Sequence, residues 1–253
     1  MRTPSIATRF VLGTLSAAAL ATAMPAAAAD EPASSLSFNA GVVSDYRYRG
    51  ISQTRLQPTL QGGVDYADKS GVYVGAWASG IKWIKDSTAT AGDVEVDLYG
   101  GYKGTAGDVA YDLGFLRYEY SGNKLGNVAG YGNANTNEVY AAVTLGPVTA
   151  KYSHALSNLF GNLNSKGSSY LDLSATFDLG SGFTLVPHLG YQRVKNVVNA
   201  SYTDAALTLN KDLGNGVVLS AALVATDADK VFYTLQNKFN GKTGAVLGLK
   251  YSF

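Results

Sequence analysis

Apolar and polar side chains alternate along most of this chain. Val94-Glu95-Val96-Asp97-Leu98 reads apolar, polar, apolar, polar, apolar, and Leu171 to Leu179 keeps that rhythm for nine residues. A period of two sends apolar groups to one face of a strand and polar groups to the other. Marking such segments predicts about twelve strands: 36–51, 58–66, 72–84, 94–103, 108–120, 138–145, 148–156, 169–179, 183–194, 202–213, 217–226 and 243–253. Two strands break the rhythm. In the fifth, Val109, Tyr111, Leu113 and Phe115 share one face while Tyr118 and Tyr120 take the other parity, which predicts a bulge near Leu116. In the third, Tyr73, Trp77, Ile81 and Trp83 oppose Val72, Val74, Ala76 and Ala78, and Lys82 argues for placing the aromatic side outward.

The connections alternate in length. Segments 67–71, 104–107, 146–147, 180–182 and 214–216 are short and carry the Gly, Pro, Asn and Asp chemistry of tight hairpins. Segments 121–137, 157–168 and 227–242 are longer. Short turns at one end and long loops at the other are the mark of an antiparallel transmembrane barrel, with the turns periplasmic and the loops extracellular. Ten residues at about 3.3 Å each, tilted by about 45°, span about 23 Å, near the roughly 25 Å apolar band of such barrels. The fold class predicted is therefore an all-β, antiparallel transmembrane β-barrel of about twelve strands. No stretch after Asp30 has the roughly 20 apolar residues of a spanning helix.

Composition narrows the picture. The chain has 253 residues, 46% hydrophobic and only 15% charged, with 29 Gly, 17 Tyr and no Cys. Disorder is excluded by the apolar content and low net charge. A formal net charge of +1 provides no basic stripe for nucleic acid. The lack of Cys excludes disulfides and thiolate zinc sites. Arg2 and Arg9, the apolar run 10–23, and the Ala27-x-Ala29 pair before Asp30 read as a secretory signal peptide over 1–29, exported through the Sec pathway. Residues 30–253 are then the barrel, in the outer membrane of a Gram-negative bacterium.

The chain ends Leu247-Gly248-Leu249-Lys250-Tyr251-Ser252-Phe253. Leu249, Tyr251 and Phe253 at alternate positions resemble the terminal signature of outer-membrane proteins, which implies the barrel assembly machinery and periplasmic chaperones as partners, beside outer-membrane lipid. Tyr46, Tyr48, Tyr118, Tyr120, Tyr191 and Tyr251, near strand ends, are expected in an outward interfacial belt. Residues Ser44-Asp45-Tyr46-Arg47-Tyr48-Arg49-Gly50-Ile51-Ser52-Gln53-Thr54, then Pro58 to Tyr66 and Gly71 to Ser79, resemble the TorF-type porin family of proteobacteria. The likeness is specific over 36–79. It implies an outer-membrane barrel of channel function and brings no substrate.

In an open barrel the inward polar face sets selectivity. The expected pore lining is Asp45, Arg47, Arg49, Asp65, Glu95, Asp97, Lys103, Asp112, Glu138, Lys151, Asp172, Asp178, His188, Gln192, Asn210 and Lys250. Both signs are present, which favours a weakly selective pore. Arg47 and Arg49 lie two apart beside Asp45, and guanidinium groups suit carboxylates, phosphates or sulfates. They are candidates for a constriction touching anionic solutes; a structural ion cluster with Asp45, Glu95 and Asp97 explains them equally well. Loop 122–137, rich in Gly and Asn, is expected to be mobile and exposed, and is the loop whose length suits it to folding inward.

Other chemistries are weak. His154 and His188 sit in no catalytic motif. Asp227, Asp229 and Lys230 lack EF-hand spacing. Asn199-Ala200-Ser201 matches a glycosylation acceptor, which means little for a bacterial export. The function expected is a non-enzymatic, cofactor-free, porin-like channel for passive diffusion of small hydrophilic solutes or ions, without nucleic-acid partners. The alternatives are a non-conducting structural or adhesive barrel with a plugged lumen, and a soluble secreted β-sandwich.

Overall fold

The computed structural model describes residues 34–253; the leader read at 1–29 lies outside them. Twelve antiparallel strands are each paired to their sequence neighbours. They are β1 (Ser35–Val43), β2 (Thr59–Ala67), β3 (Val72–Gly80), β4 (Val94–Ala106), β5 (Val109–Glu119) and β6 (Thr136–Leu145). Then follow β7 (Val148–Ala155), β8 (Ser169–Ala175, resuming as Phe177–Gly180), β9 (Phe183–Arg193), β10 (Tyr202–Gly214), β11 (Val217–Thr226) and β12 (Gly244–Ser252). Pairing of β1 with β12, Ala40 opposite Tyr251 and Val42 opposite Leu249, closes the sheet on itself. Closure leaves no edge, and an apolar solvent requires that because it cannot hydrogen-bond exposed backbone. Phe253 finishes the seam: its amide and carbonyl exchange hydrogen bonds with Phe38, and the two rings stack at 5.8 Å.

Turn chemistry explains the short end. Ser181-Gly182 and Asn215-Gly216 hold both residues at positive φ, 53° and 76°, then 52° and 79°, as a two-residue type I′ hairpin requires. At Asp68 the carboxylate accepts the Ser70 amide at 2.8 Å, and hydrogen bonds from the Ser70 hydroxyl first and its amide second lower the Asp68 pKa from the ordinary aspartate value.

The outer face is a band of Leu, Val and Phe, including Leu60, Leu98, Leu113, Phe115, Val143 and Leu171. The inner face carries the polar and tyrosyl groups. Inward tyrosines lie across glycines of the next strand: Tyr99 over Gly75, Tyr73 over Gly101, Tyr140 over Gly114 and Tyr170 over Gly190. In each case a Cβ on the glycine would collide with the ring. The high content of both residue types is thus one packing device used repeatedly.

Several expectations are corrected. The first strand stops at Val43, not residue 51, and the third at Gly80, not residue 84; Trp83–Asp86 form one helical turn, α1. Pairing runs unbroken through Leu116, so no bulge exists there; register shifts fall instead at Asp178/Gly180 and Asp212/Gly214. Tyr191 and Tyr251 do face outward, but Tyr46, Tyr48, Tyr118 and Tyr120 are buried in the interior. So are Tyr73 and Trp77, which puts the aromatic side of the third strand inward. The belt argument failed at these rings because their hydroxyls find inward partners that a single strand's pattern does not reveal.

Leu113, outward at mid-strand, and Leu145, outward at the turn end, test the membrane orientation. Leu113→Arg should cost about 2–4 kcal/mol in urea unfolding from lipid vesicles, and Leu145→Arg no more than about 1 kcal/mol. Equal costs would disprove a bilayer around this band.

Candidate functional site

The site starts where the first strand ends. Beyond Val43 the chain turns into the barrel mouth instead of rising from it, and segment 44–58 forms a small hairpin there, Arg47–Tyr48 paired with Ile51–Ser52. Its turn is Arg49-Gly50, with φ of 46° and 78°. That again is the positive-φ pair of a tight hairpin, here with an arginine where Asn or Asp is usual. Alternation over 44–51 therefore does mark strands, but of this hairpin. The loop that folds inward is 44–58. Segment 122–137 is no free loop either: Leu125 and Ala134 are fully buried in the cluster that holds Tyr46, Tyr48, Trp77 and Ile84.

Local bonds hold the hairpin's base. Asp45 takes the Arg47 Nε, the Ser52 hydroxyl at 2.5 Å and the Thr54 hydroxyl at 3.1 Å. The Tyr46 hydroxyl donates to Glu95 of β4 at 2.6 Å. Arg47 also reaches the Gly50 carbonyl at 2.9 Å and the Asn240 carbonyl at 3.3 Å. Asn240 in turn accepts the Ser52 amide at 2.8 Å, tying the hairpin to the last long loop.

The tip then crosses the lumen. Arg49 donates to both carboxylate oxygens of Glu138 on β6, at 3.1 and 2.7 Å, and to the Gln192 carbonyl oxygen on β9 at 2.7 Å. Its guanidinium lies over Tyr48 at 4.8 Å and Tyr170 of β8 at 4.3 Å. Side-chain exposure is 6% for Arg49 and 1% for Glu138. A bidentate, ring-stacked pair this deep is far from a surface ion pair of about 0–1 kcal/mol. On the far side Gly50 abuts Asp204 of β10, where a Cβ would come within 2.6 Å of the aspartate Cβ. Glycine is required at that point by both space and φ.

Beneath the tip lies a cavity of about 260 Å³. Its lining joins predicted residues Asp45, Arg47, Arg49, Lys151, Asp172 and His188. The cavity is eccentric. On the β2–β7 side, tyrosines and their carboxylates fill the lumen: Tyr99 donates to Asp65 and Tyr73 to Asp112, each at 2.6 Å, and Lys103 lies 3.9 Å from Asp112. On the opposite side the wall is made of small groups, Ala206, Ala222, Val224 and Val246, and the space remains. Those inward apolar residues of β10 to β12 were missed, because a polar inner face was assumed throughout. Asp204, also missed, accepts from Tyr170 at 3.0 Å and lies 2.9 Å from His188 Nε2; its even spacing from Asn210 on one strand was the available signal.

The remaining predicted residues do not line this cavity. Glu95 and Asp97 are buried at the loop end of β4, and Asp97 has no hydrogen-bond partner on either oxygen. Asn210 is buried, Lys250 lies inward on β12, and Asp178 sits exposed at the turn-end rim, accepting the Gly180 amide at 2.8 Å. Leu249, Tyr251 and Phe253 are exposed along the seam. His188 is held between Asp172, 3.1 Å from Nδ1, and Asp204, which leaves neither ring nitrogen free to take a proton from a serine. Asp227 and Asp229 accept the Thr203 and Phe232 amides at 2.6 and 2.8 Å, so both serve the loop backbone.

The chain belongs to the family described as a bacterial protein of unknown function (Gcw_chp), whose model matches residues 26–253. No curated protein matches the sequence. Solved porins share the fold. "KdgM porin in complex with disordered oligogalacturonate" has a TM-score of 0.54 at 9% identity, over 87% of this chain and 99% of that one. A NanC porin structure gives 0.54 at 10% identity with the same coverage. This chain is a porin-like barrel.

Removing one member of the buried pair should be costly. Arg49→Met leaves Glu138 charged and unpaired, and about 3–5 kcal/mol of stability should be lost in urea unfolding. Arg49→Met with Glu138→Met together should recover most of it. A double variant as unstable as the single would show that the pair is not the relevant contact.

Proposed function

We propose that this Gcw_chp member is an outer-membrane channel for passive diffusion of small hydrophilic solutes or ions, narrowed at its outer end by the first loop. The observation that carries this reading is the cavity within a closed barrel, lined on one side by ionisable groups and covered by the Arg49 tip. The apolar outer band and the likeness to porins support it. So does the TorF-type resemblance of 36–79.

The remaining assignments complete the reading. Residues 1–29 are a Sec leader, and 30–253 insert in a Gram-negative outer membrane. Leu249, Tyr251 and Phe253 are exposed at the seam, where the assembly machinery can read them. The protein is not an enzyme and needs no cofactor.

Charge sets the solute class. Asp65, Asp112, Asp172 and Asp204 interleave with Lys103, Lys151 and Lys250 along the inner face. Mixed signs offer no continuous positive track for a polyanion such as the oligogalacturonate bound to KdgM. A space of 260 Å³ also lies below the roughly 300–1,000 Å³ of drug-sized ligand pockets. Small solutes and ions of either sign fit best. A second reading, a non-conducting barrel, is favoured by one observation: Arg49 bonds to the walls on both sides of the mouth.

Single-channel current in a planar bilayer separates the two. The protein refolded in detergent should show small discrete steps, and deleting residues 48–51 should raise the conductance severalfold with weak ion preference under a salt gradient. Silence of both proteins, folded and inserted, would leave the non-conducting barrel.

A further inference from the structure

The hairpin tip divides the mouth into two chambers of different chemistry. Below it lie the ionisable groups of the inner cavity. Above it, among the loops, is a second cavity of about 120 Å³. Among the described residues, no Asp, Glu, Lys, Arg or His lines this outer chamber. Its walls are aromatic rings and neutral hydrogen-bonding groups, in a region where charged residues stand a few ångströms away on the other face of the hairpin.

The rings form two facing groups. On one side Trp83 packs edge-on to Tyr120 at 5.4 Å, and Phe160 packs on Tyr48 at 5.6 Å. On the other, Tyr202, Tyr233 and Phe232 pack at 5.1 and 4.9 Å. The Tyr233 hydroxyl donates to the Ala200 carbonyl at 2.5 Å, and burial raises its pKa, so this wall stays uncharged. Two buried polar atoms of lining residues have no partner among the described residues: the Trp83 indole Nε1, a donor, and the Asn240 Oδ1, an acceptor. Asn240 is only 3% exposed. An unsatisfied buried polar atom costs about 1–3 kcal/mol, so a ligand hydroxyl that reached either atom after a small side-chain movement would recover that cost.

We propose that the outer chamber is a binding site for an uncharged, ring-shaped polyol, a neutral monosaccharide, which it holds before the solute meets the charged lumen. The ring faces of a sugar present C–H groups to aromatic side chains, and its hydroxyls both donate and accept. That matches an orphan donor and an orphan acceptor set among apolar rings. A carboxylated sugar would lose its hydration with no cation to replace it, a cost that neutral sugars escape. The size suits a single ring, not an oligomer. The inference rests on the channel reading only in making this chamber the solute's first contact.

Saturation-transfer NMR on the detergent-refolded protein tests it, with D-glucose and D-glucuronate as probes. Glucose should bind saturably and glucuronate at least tenfold more weakly. Trp83→Phe, which keeps a ring and removes the donor, and Asn240→Ala should each weaken glucose about tenfold, the loss of roughly one hydrogen bond. Heat-modifiable mobility on a gel establishes that the variants are folded. Glucuronate binding as tightly as glucose, no saturable glucose signal, or folded variants with unchanged affinity would each overturn the site. A protein that conducts but ignores glucose sinks this inference alone. One that binds glucose but never conducts sinks the channel and keeps the site.

Discussion

A guanidinium and a carboxylate withdrawn from water cannot be left apart, and at the mouth of this barrel they sit on different parts of the chain. Arg49 belongs to a loop that follows the first strand, and Glu138 belongs to the sixth. Once both are buried, the attraction between them fixes the loop across the opening, because either charge alone would carry several kcal/mol of desolvation. The rest follows from that position. Arg49 must adopt a positive φ, Gly50 must lie against Asp204, and Tyr48 and Tyr170 must flank the cation. The two cavities exist as separate spaces because this contact stands between them.

The wall strands answer to the same logic of buried polarity. Inward tyrosines meet carboxylates repeatedly: Tyr46 with Glu95, Tyr73 with Asp112, Tyr99 with Asp65, Tyr118 with Glu138 and Tyr170 with Asp204. Each phenol supplies the donor that a carboxylate needs and covers a glycine or another ring with its apolar body. Such a wall is filled. The β10–β12 wall, built from alanine and valine, is not, and the lumen's free space is displaced toward it. An assumption that the inner face is polar everywhere describes the first wall and misses the second.

The barrel was legible in the sequence because strand rhythm and turn chemistry are local. Twelve segments, five short turns and the outward Leu and Val positions need no knowledge of partners. The site was legible only in part, for a stated reason. Parity along one strand turns Glu95, Asp112, Lys151 and His188 inward. Parity could not say that Tyr118, on the same parity as Asp112, would find Glu138 two positions into the next strand. Alternation through 44–51 reads, along one strand, as an extension of β1. Arg49-Gly50 was the overlooked cue, since a two-residue turn there makes a hairpin too short to cross a bilayer.

If the barrel conducts as proposed, a neutral chamber above a charged one imposes an order on what can enter. An ion entering the outer chamber finds aromatic rings and amides that offer it no counter-charge, and meets ionisable groups beyond the Arg49 tip. An uncharged polar solute finds its partners first and must then displace a hairpin held by Glu138 and Gln192. The two kinds of solute thus meet different barriers. Both must open the latched loop, and the ion must in addition cross a dielectric barrier that lies outside the latch. Selectivity in the proposed channel would then reside less in the charge of its lumen than in the sequence of environments that the first loop creates.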